Sequence, residues 1–404
     1  MIKVKAPLRQ DSRGRVLDII RATEPTSRIE LVRETSLTPA SITHLVRDLL
    51  VQGLVREVGQ AESTGGKPRT LLRLNRDSMT AIGVQLGAAS VALVAANLAG
   101  DIVGRQVLRG VADLDPQVIV AFLADAVAEL IDNLGLDRST IAGIGVAMPG
   151  PLDISGGYLR NVSYLENLSG FALADELETA TGLPIVIDND ATAAAVGEYW
   201  LGTTDRHAAY ATVYLATGIG SGLVVNGMPY RGSSSNAGEL GHVSVDFRGA
   251  ECTCGNRGCL ELVAAPPVLV ERARQAPPSA GLGEISRGNV EDAMSQLGIL
   301  AARGNEAALT IIRDGAELLA CGIVTLVNLF DVDMVVLAGP GFTSCAAIYL
   351  EAAQKALDSR TLARGVHTVR VVPSASPRDA AALGAATLAL QDKLERKPVA
   401  AAKK

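Results

Sequence analysis

Apolar residues in the first part of the chain recur with helical spacing. Val16, Leu17, Ile19 and Ile20 predict a helix over Arg13–Ala22. Ser27 predicts the cap of a second helix, Arg28–Thr35, with Glu30 at the third helical position as in a capping box. Ser36 and Leu37 make a short turn. Thr38 is then a cap and Pro39 the first residue of a third helix, which runs to about Gln52 and is stopped by Gly53. Ile42, Leu45, Val46 and Leu49 form its buried stripe, leaving Ala40, Ser41, Thr43, His44 and Arg47 on the other faces. Leu54–Val58 and Leu71–Leu74 read as strands, joined by a glycine-rich basic tip over Glu62–Arg69 that contains Lys67.

From Ala81 the rhythm changes to short apolar strands: Ala81–Leu86, Val91–Asn97 and Ile102–Leu108, with turns at Gly87–Ala89 and Ala99–Asp101. A helix over Pro116–Leu134 and a buried strand over Ile141–Ala147 follow. The pattern then repeats, with strands Tyr210–Ala216, Gly222–Asn226 and Met228–Arg231 and a turn at Thr217–Ser221. A helix around Ala307–Phe330 leads into Met334–Leu337. Two α/β units that each open with glycine-linked strands imply two lobes and a cleft between them, the default place for a small ligand. Backbone N–H groups in such turns can cradle oxyanions, although any single glycine turn suits a plain hairpin as well. The expected division is a head over residues 1–78, a small lobe over 79–192 plus 384–404, and a large lobe over 193–383. From Asp392 onward the sequence predicts a frayed, charged end.

With 404 residues, 48% of them hydrophobic and 3% aromatic, the chain is long enough for two or three domains. No apolar run reaches membrane-spanning length, and residues 1–15 lack the apolar core of a signal peptide. A cytoplasmic protein without a membrane partner is expected. Charge separates along the chain. Residues 1–76 carry 14 Lys and Arg against 8 Asp and Glu, whereas the remainder carries 23 against 35. A basic head on an acidic body suits a head that alone meets a polyanion.

Two short helices, a tight turn, a helix with a small polar exposed face and a basic hairpin fit a winged helix-turn-helix. Its expected contacts with double-stranded operator DNA are Thr38, Ala40, Ser41, Thr43, His44 and Arg47 on the third helix, with Lys67 and Arg69 on the wing. A small helical domain for protein contacts is the competing reading of the segment, and His44 and Arg47 suit solvated positions as well as base reading. In the body, Cys252, Cys254 and Cys259 fall within eight positions. With His242, the nearest of four histidines (His44, His207, His242 and His367), they supply a full tetrahedral zinc set with no open position, so the zinc is expected to be structural. Three buried thiols without metal are the alternative. Cys321 and Cys345 read as core residues.

The stretch Thr217–Gly222, then Gly232, Gly238–His242 and Cys252–Glu261, resembles the signature of the ROK family of repressors, open reading frames and sugar kinases. The head resembles the winged helix of its repressor branch, including the tip Gly65-Gly66-Lys67-Pro68. The resemblance runs from about Arg13 to Gln391. It implies an actin-like, ribonuclease-H-like two-lobed body that binds a hexose or related sugar through Asn189, Asp190, Glu239, His242 and Glu261, with a backbone contact at Gly150. Carboxylates and amides are the partners sugar hydroxyls need, and zinc on one nitrogen of His242 would orient the other toward a hydroxyl.

Asp190 matches the general base of the kinase branch. The first glycine turn does not match: the kinases carry an aspartate, two glycines and a threonine there, and this chain has Gln85, Ala88 and Ala89 in the altered positions. Ala338-Gly339-Pro340-Gly341 likewise departs from three successive glycines. Phosphoryl transfer needs a metal and stabilisation of charge, and a neutral amide holds no cation. The expectation is therefore a sugar-responsive transcriptional regulator, a repressor of carbohydrate-use genes without catalytic activity, modulated by a sugar or sugar phosphate. It would read its operator as a homodimer or homotetramer. The alternatives are an ATP-dependent sugar kinase (for a hexose or N-acetylhexosamine) carrying a DNA-binding head, and a constitutive repressor indifferent to sugar.

Overall fold

The capping signals of the head are used as the sequence writes them. In the computed structural model, helix α1 (Ser12–Thr23) leads through strand β1 (Thr26–Ser27) into α2 (Arg28–Thr35). Ser27 accepts the N–H of Glu30, and its own N–H donates to the Glu30 carboxylate at 2.7 Å, closing a capping box. Thr38 caps α3 (Pro39–Val51) by accepting the N–H of Ser41 at 3.2 Å. Ile42, Val46 and Leu49 are buried, while Leu45 is half-buried at the edge of the stripe. Strands β2 (Val55–Gln60) and β3 (Thr70–Leu74) pair antiparallel, and β1, which the apolar pattern is too short to signal, adds a third strand beside β3. The structure describes residues 12–61, 68–154, 156–160, 165–202, 209–283, 285 and 288–395. Lys67, with the rest of Glu62–Lys67, His207 and the tail beyond Glu395 lie outside the described residues.

The repeat seen in the sequence is a repeat of topology. Strands β4 (Thr80–Leu86), β5 (Ser90–Asn97) and β6 (Ile102–Arg109) form an antiparallel meander. Helix α4 (Pro116–Leu134) follows, and then β7 (Ile141–Met148), parallel to β4. The short hairpin β8 (Leu152–Asp153) and β9 (Tyr158–Leu159) and helix α5 (Leu173–Thr181) lead to β10 (Ile185–Asn189), parallel to β7. Helix α6 (Asp190–Trp200) crosses to the second sheet. There β11 (Tyr210–Leu215), β12 (Ile219–Val225) and β13 (Met228–Pro229) form the second meander. Helices α7 (Glu261–Ala264), α8 (Pro266–Arg274), α9 (Val290–Ala302) and α10 (Glu306–Phe330) precede β14 (Met334–Ala338), parallel to β11. Helix α11 (Ala346–Arg360), β15 (Arg370–Pro373) and α12 (Ala380–Glu395) end the described chain. The sheet orders β6-β5-β4-β7-β10 and β13-β12-β11-β14-β15 correspond strand for strand.

Helices α6 and α12 pack on each other between the sheets, with α12 against β4 and β7 and α6 against β11 and β12. Their approach is backbone on backbone: a Cβ on Gly384 would lie 1.7 Å from the carbonyl oxygen of Ala193, so only glycine fits. The same demand explains a departure from the sequence reading. The run Thr217–Ser221 reads as one turn, but only Thr217 and Gly218 turn. Ile219–Ser221 already pair with β11, and a Cβ on Gly222 would meet the carbonyl of Ala191 at 2.3 Å. These glycines are strand positions kept bare for α6.

Two further expectations are corrected. Cys321 is exposed on the outer face of α10, because Leu319, Ala320, Gly322 and Ile323 take the inner one; Cys345 is buried as expected. The charged stretch from Asp392 is helical as far as Glu395, held by the buried Leu394, whose carbonyl accepts from Arg13 Nη1 at 3.0 Å. That bond joins the head to the body. Val16, Leu17 and Ile20 of α1 share one apolar core with Leu383, Ala386 and Leu390 of α12.

Candidate functional site

The site begins where β10 runs straight into α6. Asn189 caps the helix, its Oδ1 accepting the N–H of Thr192 at 3.0 Å, and Asp190 opens it with Oδ1 on the N–H of Ala191 at 2.8 Å. A carboxylate at a helix N-terminus is favoured by the helix dipole. From the opposite lobe come Glu239 and His242, in a short 3₁₀ turn after β13, and Glu261 at the start of α7, whose Oε2 accepts the N–H of Ile219 at 3.0 Å. Gly150 closes the ring from the small lobe. A Cβ there would come within 2.8 Å of Glu239 Oε1 and 3.3 Å of Asn189 Nδ2.

All six expected sugar residues, Gly150, Asn189, Asp190, Glu239, His242 and Glu261, line one cavity of about 440 Å³ between the lobes. That volume lies within the range of small-molecule sites. Three carboxylates face it and no Lys or Arg does among the described residues. Burial pushes Asp190 up to about 7, against the hydrogen bond from Ala191 and together with the charges of Glu239 and Glu261. Burial also raises Glu239, opposed by His242 and aided by Glu261.

The metal set assembles beside this cavity. Cys252 Sγ lies 3.6 Å from His242 Nδ1 and Cys254 Sγ lies 3.7 Å from Cys259 Sγ, and the four donor atoms all fall within 4.8 Å of one another. A tetrahedron with metal–sulfur bonds of about 2.3 Å has edges of about 3.8 Å, so the donors fit a zinc ion in number, kind and spacing. Burial and the neighbouring thiols push Cys259 up to about 12, whereas at Cys252 burial is outweighed by hydrogen bonds with Cys254, His242 and Cys259 and the thiol is lowered to about 7. The loop is tied down by its own backbone, with Cys252 N–H on the carbonyl of Asn256 and Leu260 N–H on that of Val243. Because Nδ1 faces the thiols, Nε2 is left as the nitrogen on the far side of the ring, and His242 lines the cavity.

Three residues that the sequence reading did not single out frame the site. Asp188 and Arg231 form a two-pronged ion pair of 2.5 and 2.6 Å between β10 and the segment after β13, with the Asp188 side chain 2% exposed. Asn236 grips the backbone of Leu152 from both sides, its Oδ1 accepting the N–H at 2.7 Å and its Nδ2 donating to the carbonyl at 3.0 Å. Both contacts tie the two lobes together at the cavity rim. An acid at the end of an apolar strand could have signalled Asp188; nothing local marks Asn236.

The altered turn borders a second cavity of about 490 Å³, which shares Gln85, Gly87, Ala216 and Thr217 with the first. Ala88 lines the first cavity and Ala89 and Ser90 the second. Ser90 Oγ donates to Glu291 Oε2 at 3.1 Å across the lobes, and Arg105 pairs with Asp379. Arg105, Arg109 and Arg378 face Glu291, Asp292 and Asp379 there, charge for charge.

On the head, Thr38, Ala40, Ser41, Thr43, His44 and Arg47 are all exposed along one side of α3, and Arg69 is exposed just before β3. Several of these groups are held within the helix. Thr38 and Ser41 hydroxyls meet at 2.9 Å, Thr43 donates to the carbonyl of Pro39 at 2.8 Å, and Arg47 donates to His44 Nδ1 at 2.8 Å.

Two lobes of corresponding topology that close on a polar cleft define an actin-like α/β body of the sugar-kinase type. The sequence profile of the ROK family matches residues 81–392, and the chain belongs to that family. It is similar to a putative xylose repressor of Caldicellulosiruptor sp. (strain Rt8B.4), 30% identical over 391 residues that cover 96% of this chain and 98% of the relative. It is also similar to the DNA-binding transcriptional dual regulator NagC of Escherichia coli (strain K12), 27% identical over 84% of this chain and 82% of that protein. Among solved structures, a ROK family transcriptional regulator, a homolog of the E. coli MLC protein, matches with a TM-score of 0.74 and 26% identity, covering 95% of this chain and 97% of the other. A ROK family glucokinase from Streptomyces griseus, in complex with glucose and AMPPNP, matches with a TM-score of 0.67 and 27% identity, covering 77% and 99%.

Proposed function

We propose that this chain is a sugar-responsive transcriptional regulator in which an uncharged sugar, bound between the lobes, sets the affinity of a winged helix-turn-helix head for operator DNA. The observation that carries the reading is the convergence of Gly150, Asn189, Asp190, Glu239, His242 and Glu261 on one cavity, in a chain whose head presents a small polar helix face to solvent. Carboxylates and an amide on facing walls suit pairs of neighbouring hydroxyls. The absence of Lys and Arg from the described lining, against three carboxylates, favours a neutral ligand over a phosphate ester. His242, Cys252, Cys254 and Cys259 would hold a structural zinc. When bound it would fix the loop and the orientation of the His242 ring, so that Nε2 is presented to a hydroxyl. Thr38, Ala40, Ser41, Thr43, His44, Arg47, Arg69 and Lys67 are assigned to DNA. A two-fold homodimer would place two heads on a palindromic site.

The body is read as having no phosphoryl-transfer activity. Gln85 offers no charge for a cation where the cavities meet, and Ala88 and Ala89 add methyl groups on either side. A kinase reading is kept in view by Asp190, whose raised pKa suits a general base. The test is to select a binding site from a pool of random duplexes and titrate it with and without pentoses, hexoses, 2-acetamido sugars and their phosphate esters. At least one neutral sugar should change the operator Kd by about fivefold or more, while its phosphate ester binds about 100-fold more weakly. Sugar-dependent ATP hydrolysis at an ordinary turnover rate would establish the kinase reading instead, and equal binding of the phosphate ester would overturn the neutral-ligand assignment.

A further inference from the structure

Helix α6 has one end in the sugar cavity and the other against the head. At its N-terminus Asn189 caps the helix and Asp190 faces the cavity. Every residue from Ala191 to Trp200 is buried. At the far end Tyr199 Oη donates to Asp18 Oδ2 of α1 at 2.7 Å, Asp18 pairs with Arg21 at 2.6 Å, and the Arg21 guanidinium lies 4.5 Å from the centre of the Trp200 ring. These four side chains are nearly solvent-free: Asp18, Tyr199 and Trp200 are 5–6% exposed, and the Arg21 side chain 7%. Trp200 Nε1 is buried with no hydrogen-bond partner among the described residues.

We propose that α6 is a strut that transmits occupancy of the cavity to the head through the joint of Asp18, Arg21, Tyr199 and Trp200. An α-helix of 11 residues spans about 15 Å and does not compress, so a displacement imposed on Asn189 and Asp190 arrives at Tyr199 with little loss. The surroundings allow few other outlets. The backbone of α6 lies directly on Gly222 of β12 and Gly384 of α12, and the tip of Tyr199 is wedged between Asp18 and Gly227, where a Cβ would lie 2.7 Å from its hydroxyl. The chemistry of the joint also fits. An apolar contact would hold the head at many nearby angles at similar cost, whereas a buried carboxylate shared by a guanidinium and a phenol fixes one. The rest of the head–body contact, the packing of Leu17 and Ile20 against Leu383 and Leu390, the Arg13–Leu394 hydrogen bond and the Arg76–Asp101 pair, is made with body residues outside α6.

This inference rests on the regulator reading, and the tests separate the two. Trp200 is the single tryptophan of the chain, and it lies a helix length from the cavity, beyond contact with a bound sugar. Saturating the native protein with whichever neutral sugar calorimetry shows to bind should change the Trp200 emission. An unchanged spectrum under proven saturation overturns the strut while leaving the regulator reading intact; failure of every sugar to bind overturns the regulator reading itself. Tyr199→Phe, which removes only the hydroxyl, and Asp18→Asn should each keep the sugar Kd and the sugar-free operator Kd within about threefold of native. The ratio of operator Kd with and without sugar should fall at least threefold toward one. A native ratio in two variants that still melt cooperatively would overturn the joint.

Discussion

Asp190 concentrates the chemistry of the cavity. Its folded pKa of about 7 lies above the ordinary carboxylate value, so the native state binds its proton more tightly than the unfolded chain does. The stability this contributes is complete below the ordinary value, about pH 4, and is lost as pH rises through 7. Asp190→Asn should therefore stabilise the sugar-free protein at pH 8, by about 1–2 kcal/mol in urea titrations once solvent screening is allowed for, and change little at pH 4. The same variant should weaken sugar binding. Cys254 makes the second case at this level. If its thiol completes a zinc set, Cys254→Ser lowers the zinc content measured by atomic absorption and loosens the segment carrying His242 and Glu261, with a loss of about tenfold or more in sugar affinity. Retained zinc and native affinity would exclude that role. Both residues stood out in the chain as local patterns, an Asn-Asp pair after an apolar strand and a cysteine cluster. Asn236 and Arg231 did not, because their partners, Leu152 and Asp188, lie 84 and 43 positions away.

The helices and strands follow local signals closely wherever capping and turn chemistry decide them. The box at Ser27 and Glu30 and the Thr38-Pro39 start both appear as written. Ser27→Ala should cost about 1 kcal/mol, read as a drop in melting temperature of the head. Local signals fail where a neighbouring element sets the rule. Gly220 reads as a turn residue because glycine usually marks a turn, yet here it and Gly222 let a strand lie under α6. Gly384 is helical for the same reason. Adding one methyl in Gly384→Ala drives it into the carbonyl of Ala193, and a loss of about 3 kcal/mol is expected from denaturant unfolding. That is opposite to the gain alanine gives in an exposed helix. Cys321 reads as core by type and proves exposed, since a helix of 25 residues has an outer face for whatever the inner one does not take.

Taken whole, the molecule separates its charges as it separates its tasks. The basic residues cluster in the head, the cavity holds carboxylates, and the two are joined through α6 and α12. Raising salt from about 50 to about 200 mM should weaken operator binding by tenfold or more through counterion release. It should leave the Kd of a neutral sugar unchanged; a steep salt dependence of sugar binding would point to a charged effector. The order of elements, the repeated α/β unit, the composition of the head and the chemistry of the cysteine cluster are all present in the linear chain, because each rests on residues within about one helix length of one another. The meeting of Gly150 with Glu239, the lobe ties at Asp188 and Asn236, and the seat of α1 on the far end of α6 exist only once the sheets have paired and packed. They depend on side chains brought together from 43 to 181 positions apart, and no local spacing encodes which of many such encounters the fold will make.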